Sequence, residues 1–328
     1  MIVLMNIKIN NRKINASEGE KLIEVAHRND IEIPALCYAP GYKHQSSCMV
    51  CVVKELTSNQ IIPACSTLAV EGMDIDTKSE EVKLLQTMAL ELLLSDHRAD
   101  CEAPCSMVCP QGLDIERMLD FYDMGKYKEA HTLIAETLTL PEPECNTCRA
   151  PCEKACRRGT VDRAVTIRNI IRELTERYEP FSARIKKDNK KPDKELFQSR
   201  LGRFTEKEKD FLKYNTTTPS GCLHCACAGS KGCKLRIYAT GAGIKRSQFE
   251  ASSALYAIKK ENIKDNIWFE PAKCIKCGLC VYNSNDGFTF KDRGFGMQVV
   301  LPDESVNNID ESLCEICPTG ALSLLDEK

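Results

Sequence analysis

The chain has 328 residues, 43% of them hydrophobic, with a formal net charge of −2, one Trp and 20 cysteines. Length predicts two or three domains, and the near-neutral charge gives no footing for nucleic acid or an anionic membrane surface. No stretch reaches the roughly 18 uninterrupted apolar residues of a membrane span, and MIVLMNIKIN has neither the cationic n-region nor the h-region of a secretory signal. The expected location is the cytoplasm, where thiols stay reduced, so metal ligation is a better use of the cysteines than disulfides. They fall in groups at 37–65, 101–109, 145–156, 222–233 and 274–317. These groups divide the chain into segments at 1–78 and 79–180, a linker at 181–204, a four-cysteine segment at 205–260 and a small C-terminal segment at 261–328, an α+β multidomain organisation.

In residues 1–78, Met5, Ile7 and Ile9 alternate with polar residues, which predicts a half-buried strand. Asn10-Asn11 then turns the chain into a second strand through Ile14. Ser17 and Glu20 have capping-box spacing, and Leu22, Val25 and Ala26 give the next helix an apolar face. Cys37, Cys48, Cys51 and Cys65 follow with spacing C-x10-C-x2-C-x13-C. Together with IPALC, SSCMVCVV and PACSTLAVEGMDIDT, this resembles the β-grasp ferredoxin at the N-terminus of complex I's largest peripheral iron–sulfur subunit and of iron-only hydrogenases. The resemblance implies one [2Fe–2S] cluster on those four thiolates. A zinc site is the alternative, but the spacing is not that of a zinc ribbon.

In residues 79–180, Val82–Leu94 is interrupted by Lys83, Gln86 and Glu91 and reads as an amphipathic helix. It leads into ELLLSDHRADC at 91–101, which resembles the complex I loop where one His and three Cys hold a cluster. Cys101, Cys105 and Cys109 come next at intervals of four, with Pro110 after the last. Ile115–Tyr122 and Tyr127–Leu138 predict a helical hairpin turning at Gly125. Cys145, Cys148, Cys152 and Cys156 then precede VTIRNIIREL. This order resembles the helical domain of the glutamate synthase small subunit and of dihydropyrimidine dehydrogenase, and implies two [4Fe–4S] clusters. By position, Cys101, Cys105 and Cys156 share the first, and Cys109, Cys148 and Cys152 the second. The family's Gln or Glu ligand lies near Ile170–Ile171 here, which cannot ligate. Cys145 is the candidate to complete the second set and His97 the first. The other reading of His97 is a cation at a helix C-terminus.

The stretch 183–195 is rich in Lys and contains Pro192, as a solvated linker would be; Asp188, Asp193 and Glu195 argue against a basic nucleic-acid arm. Relatives of the helical domain normally continue into flavin and nicotinamide domains marked by G-x-G-x-x-G. The nearest string, ATGAGIKRS at 239–247, lacks the third glycine and reads as a loop. Instead, GRFTEKEKDF leads to GCLHCACAGSKGCKLRIYA. Its Cys222, Cys225, Cys227 and Cys233 are predicted to hold a [4Fe–4S] cluster, with a closed zinc site as the alternative. His224 is surplus to four ligands and is expected to donate a hydrogen bond or face solvent. At the C-terminus, CIKCGLC supplies Cys274, Cys277 and Cys280, and CPTGAL supplies Cys317, a loop-plus-remote-cysteine set for a last [4Fe–4S] cluster. A second cluster there would need a Cys near Ser284. Cys314 is left over as a spare thiol. The gap containing GFTFKDRGFG resembles a cluster domain of the complex I subunit.

The whole reads as one [2Fe–2S] and four [4Fe–4S] clusters, with no FAD, NAD or molybdopterin and no catalytic residue in this chain. No nucleophile–base constellation supports a free-standing enzyme. The function expected is a relay of single electrons between an NAD(P)H-linked flavoprotein and another redox subunit or carrier, such as hydrogenase, formate dehydrogenase or ferredoxin. A redox-sensing or assembly protein is the alternative.

Overall fold

A computed structural model describes residues 4–97, 100–140, 142–178, 206–216, 218–226, 233–244 and 261–324. The 183–195 stretch and Cys227 lie outside the described residues. The chain forms two compact units, one of residues 1–97 with 229–328 and one of residues 98–228. In sequence, the second is an insertion into the first.

The first unit opens with β1 (Leu4–Ile9) and β2 (Arg12–Ser17), an antiparallel hairpin in register Ile9↔Arg12. Asn10 and Asn11 both have positive φ, as a two-residue hairpin turn of this hand requires. Helix α1 (Leu22–Arg28) starts later than the Ser17–Glu20 spacing predicts. Glu20 does accept from the Ser17 backbone, but it also takes both arms of Arg28. The cap comes instead from Glu24, whose carboxylate accepts from Lys21 N at 3.2 Å. Leu22, Ile23, Val25 and Ala26 are buried against the sheet.

The sheet is completed by β3 (Val52–Glu55), β4 (Gln60–Pro63) and β5 (Asp74–Asp76) in the order β2-β1-β5-β3-β4. β5 runs parallel to β1 and antiparallel to β3. One core holds Ile7, Ile9, Ile75 and Val53 from the sheet together with Cys51 and Cys65, so the apolar packing also fixes two thiols.

Helix α2 (Glu80–Asp96) begins at Ser79, whose hydroxyl accepts from Val82 N. This helix packs on the sheet. Gln86 donates to Val52 O at 2.9 Å, Lys54 pairs with Glu81 at 2.6 Å, and Val82, Leu90 and Leu94 are buried.

The inserted unit carries α3 (Pro104–Met107), α4 (Ile115–Asp123), α5 (Tyr127–Thr137), α6 (Pro151–Ala155), α7 (Ile167–Arg177) and α8 (Glu206–Asn215). α4 and α5 make the expected hairpin, with Gly125 at φ +74° where the chain reverses. α4 is started by Asp114, which accepts from Arg117 N, and by Ser106 Oγ, which accepts from Ile115 N. Met118, Leu119, Ala130, Ile134, Ile167, Ile171 and Leu174 form the core, and Cys105, Cys152 and Cys222 belong to it.

The chain then returns to the first unit through α9 (Lys234–Gly241), β6 (Glu261–Lys264), β7 (Ile267–Phe269), α10 (Leu279–Asn283), β8 (Thr289–Lys291), β9 (Gln298–Val300), α11 (Ser312–Ile316) and β10 (Leu322–Leu324). Ala239–Gly241, expected in a loop, is the last turn of α9, which ends before Gly243 at φ +70°. A three-stranded sheet of order β10-β7-β6 and the ribbon β8–β9 enclose a small core of Ile267, Phe269, Phe288, Ile309 and Leu313.

Candidate metal centres

Four thiols meet beside the N-terminal sheet. Cys37 follows α1, Cys48 and Cys51 flank the left-handed Met49 before β3, and Cys65 follows β4; all four are buried. The Cys37 thiol is within hydrogen-bonding reach of Cys48 and Cys65, and Cys51 of Cys65. Those contacts pull Cys37 down to about 2 and lower Cys51, while Cys48 and Cys65 are pushed up by the same partners. Buried thiols this close cannot all ionise in the absence of a cation, so the set suits a group that brings positive charge to every sulfur. Ser46 Oγ lies 3.4 Å from Cys65 Sγ, and His44 Nε2 lies 2.9 Å from Cys65 O.

In the inserted unit, Cys109, Cys145, Cys148 and Cys152 line one cavity with Arg168 and Ile171. Burial, then the charges of Cys109, Cys152 and Cys148, push Cys145 up to about 12. Burial likewise pushes Cys152 to about 11. Arg168 donates to Cys148 O at 3.2 Å, and its own N–H donates to Glu153, which ties α7 to α6 around the cavity. Ile171 offers only an apolar wall.

A second cavity is lined by Cys105, Cys156, Cys222 and Cys225, with Glu116, Arg157 and Arg158. Cys105, Cys222 and Cys225 are all raised, first by burial and then by neighbouring negative charge. Cys101 is buried but does not line this cavity. His97 and Cys233, grouped by the sequence with cysteines of the inserted unit, belong to the other unit. There His97 is buried and hydrogen-bonds the Lys273 backbone. Desolvation, then the Lys273 charge, hold its imidazole neutral, down to about 4. A helix-end cation is therefore not its role. Cys233 caps α9 by accepting from Arg236 N, and Lys234 N donates to Pro318 O at 2.8 Å, which sets Cys233 in the field of Cys317.

His224, surplus in the sequence reading, is clamped by carboxylates: Glu116 at 3.3 Å, Asp123 at 3.1 Å and Asp120 at 3.7 Å. Burial opposes its charge, but hydrogen bonds to Asp123 and Glu116 outweigh this and raise it to about 10. A C-x2-C spacing gives no hint of this acidic cradle, because its members come from α4.

Near the C-terminus, Cys274, Cys277 and Cys280 wind around Gly278 at φ +82°, and Cys317 closes the set. Burial, then the charges of Cys274, Cys317 and Cys277, raise Cys280 well above its ordinary value. Backbone N–H groups of Lys276 and Leu322 donate to Cys274 Sγ and Cys317 Sγ at 3.3 and 3.4 Å. Cys314 lies close enough to feel Cys317 and rises to about 12, chiefly through burial. Ser284 is buried and accepts from Phe288 N at 2.8 Å, a purely structural use of that position.

Comparison with known proteins agrees with this chemistry. Residues 4–80 match a 2Fe-2S iron–sulfur cluster binding domain, and residues 78–180 match dihydropyrimidine dehydrogenase domain II, 4Fe-4S cluster. The NADP-reducing hydrogenase subunit HndD of Solidesulfovibrio fructosivorans is 29% identical over 167 residues, 47% of this chain and 28% of that protein. The mitochondrial NADH-ubiquinone oxidoreductase 78 kDa subunit of Candida albicans is 27% identical over 38% of this chain and 17% of its own. NADPH-Fe(3+) oxidoreductase subunit alpha of Geobacter sulfurreducens is 25% identical over 52% and 20%. The chain thus spans less than a third of the length of these relatives. In fold, it is similar to a chain of an NAD+-reducing [NiFe]-hydrogenase, with TM-score 0.52 and 15% identity, over 98% of this chain and 88% of that one. Among the described residues, no helix is long and apolar enough to cross a membrane. This chain is therefore an iron–sulfur protein that joins a 2Fe-2S cluster binding domain to a 4Fe-4S domain of the dihydropyrimidine dehydrogenase domain II type.

Proposed function

We propose that the chain is an electron-transfer subunit with one [2Fe–2S] and four [4Fe–4S] clusters. It works between a partner flavoprotein that handles NAD(P)H and a second redox partner of the hydrogenase, formate dehydrogenase or ferredoxin kind. Such clusters, when bound, supply one-electron chemistry at potentials tuned by hydrogen bonds and exposure. Flavin and any catalytic centre belong to the partner chains. The names of the relatives support a redox partner of this kind, since they are hydrogenase and oxidoreductase subunits.

The observation that carries the reading is how two cysteine loops of the first unit are docked. Lys43 N donates to Asn283 Oδ1 at 2.9 Å, and Asn283 Nδ2 donates back to Lys43 O at 2.8 Å. Ser47 Oγ donates to Cys277 O at 3.3 Å, and the Cys277 thiol is close enough to feel the charge of Cys37. A storage or sensing site has no need of such an arrangement, whereas a relay needs two centres held at fixed, short separation. The clamp is made by the Asn283 and Ser47 side chains on the backbone of the facing loop.

The test is a reductive titration of the anaerobically purified chain, followed by EPR. The two-iron signal is expected to broaden or relax faster once the neighbouring four-iron site is also paramagnetic. Asn283→Ala is expected to weaken that coupling while keeping both centres. Two magnetically independent signals in the wild type would refute the relay.

A further inference from the structure

The second cavity of the inserted unit is assembled by a loop that no spacing rule connects to it. Residues 218–226 are fastened to the helical frame at several points. Ser220 N and Oγ donate to Asp123 at 2.7 and 2.6 Å. Arg158 donates to Gly221 O at 3.3 Å. Asp100 N donates to Cys225 O at 3.1 Å, and Asp100 pairs with Ala226 as a parallel bridge. His224, wedged among Glu116, Asp120 and Asp123, adopts a left-handed φ of 46° between the two cysteines. Its turn leaves Cys222 and Cys225 lining one cavity with Cys105 of α3 and Cys156 at the end of α6.

We propose that Cys105, Cys156, Cys222 and Cys225 are the four ligands of a single [4Fe–4S] cluster, completed across three separate stretches of chain. The proposal rests on the reading that these cavities hold clusters. It exchanges partners relative to the spacing argument: Cys222 and Cys225 leave the set with Cys227 and Cys233, and His97 and Cys101 leave the set with Cys105 and Cys156.

Three observations favour the exchange. Cys222 packs in the same buried core as Cys105, and Cys105, Cys156, Cys222 and Cys225 all line one cavity. Cys233 belongs to the other unit and is pinned there by the Lys234–Pro318 hydrogen bond. The thiols reach the cavity from three separate stretches of chain, α3, the end of α6 and the 218–226 loop. A closed zinc site would need its four sulfurs about 2.3 Å from one centre, whereas a cube holds its thiolates apart at four corners. His224 is a positioning residue, since both its ring nitrogens face carboxylates.

The test uses the full chain, purified anaerobically, with Cys105→Ala, Cys222→Ala, the double variant and Cys233→Ala compared by iron content and low-temperature EPR. Each of the first two is expected to lose about four irons and the same EPR signal, and the double variant no more than either. Cys233→Ala is expected to keep that signal. Persistence of the signal from the cavity lined by Cys109, Cys145, Cys148 and Cys152 shows that the unit is still folded in each variant. Loss of about eight irons in the double variant would mean two separate clusters and overturn the proposal. So would a Cys222→Ala protein that keeps the signal removed by Cys105→Ala. A zinc ion in the wild type, released by both single variants alike, would overturn the cluster at this site while leaving the docked-loop relay reading intact.

Discussion

Asp100 offers the most direct test of how the inserted unit is held together. Its carboxylate is fully buried, and Arg157 reaches Oδ2 through Nε and Nη2 at 3.3 and 3.2 Å. Arg157 adjoins Cys156, and Asp100 carries the backbone bond to Cys225, so the pair spans two of the stretches that line the second cavity. Replacing Arg157 with Leu leaves a buried carboxylate without its guanidinium, a loss of about 3–5 kcal/mol. The Arg157 side chain keeps 19% of its surface exposed, which places the cost near the lower end, about 3 kcal/mol. For a unit of this size, each kcal/mol moves the melting point by about 4 °C, so the expected drop is about 12 °C. The assay is an anaerobic thermal scan that follows the visible absorbance of the clusters, after iron analysis shows equal loading. The double variant Asp100→Leu/Arg157→Leu is expected to recover much of the loss, because an apolar pair of similar volume removes the buried carboxylate together with its guanidinium. A drop below about 3 °C for Arg157→Leu would show that water or another group solvates Asp100, and would refute the reasoning.

Further outcomes follow from other parts of the molecule. Glu55 accepts from Ser58 N at 2.5 Å and Thr57 N at 3.1 Å, and its side-chain hydrogen bond with Ser58 is the first of the causes that hold it at about 2, against the opposing effect of burial. A depressed carboxylate stabilises above its ordinary value and loses that contribution as pH falls toward 2. Glu55→Gln should therefore cost roughly 1–3 kcal/mol in urea unfolding at pH 7 and progressively less below about pH 4.5. An equal gap at pH 3 would show that the charge is not what matters. In Gly278→Ala, the new Cβ would lie 2.6 Å from Tyr282 at a φ of +82°. That variant should lose about four irons and the C-terminal EPR signal, and full loading would show that the loop tolerates rearrangement. Cys145→Ala should destabilise the cluster held with Cys109, Cys148 and Cys152, since Ile171 cannot ligate; unchanged spectra would free Cys145 from that role. The anaerobic wild type should carry about 18 irons per chain, two in the β-grasp site and the rest in four-iron sites, and a content below about 10 would sink the five-cluster model.

Local features were readable where a few neighbouring residues settle the outcome. The β1–β2 hairpin follows from alternation and an Asn-Asn turn, and the α4–α5 hairpin from two apolar stripes around Gly125. Resemblance grouped Cys109, Cys148 and Cys152, and Cys145 was added because Ile170–Ile171 cannot ligate; the four line one cavity. What escaped was tertiary. The capping signal at Ser17 was offset because Arg28 competes for Glu20. Gln86 and Lys54 bind helix α2 to the sheet. A C-x2-C pair is satisfied by any two further thiols, so spacing could not tell whether Cys222 and Cys225 turn toward Cys227 and Cys233 or toward Cys105 and Cys156. The deciding residues, Asp123, Glu116 and Asp100, carry no signature of their own.

The bridge between Asp100 and Ala226 joins the two ends of the inserted unit. Polypeptide therefore enters and leaves this unit at one spot, as at the neck of a loop. During synthesis, residues 98–228 emerge whole before the second half of the host unit exists, so they can fold and acquire cofactors on the ribosome. The contacts of 1–97 with 229–328 close last, and the entropy of that long closure is reduced if the intervening chain has already condensed with its ends together. The same geometry makes the unit portable. Residues 100 and 226 lie side by side, so the stretch between them could be exchanged as one piece at a tight turn.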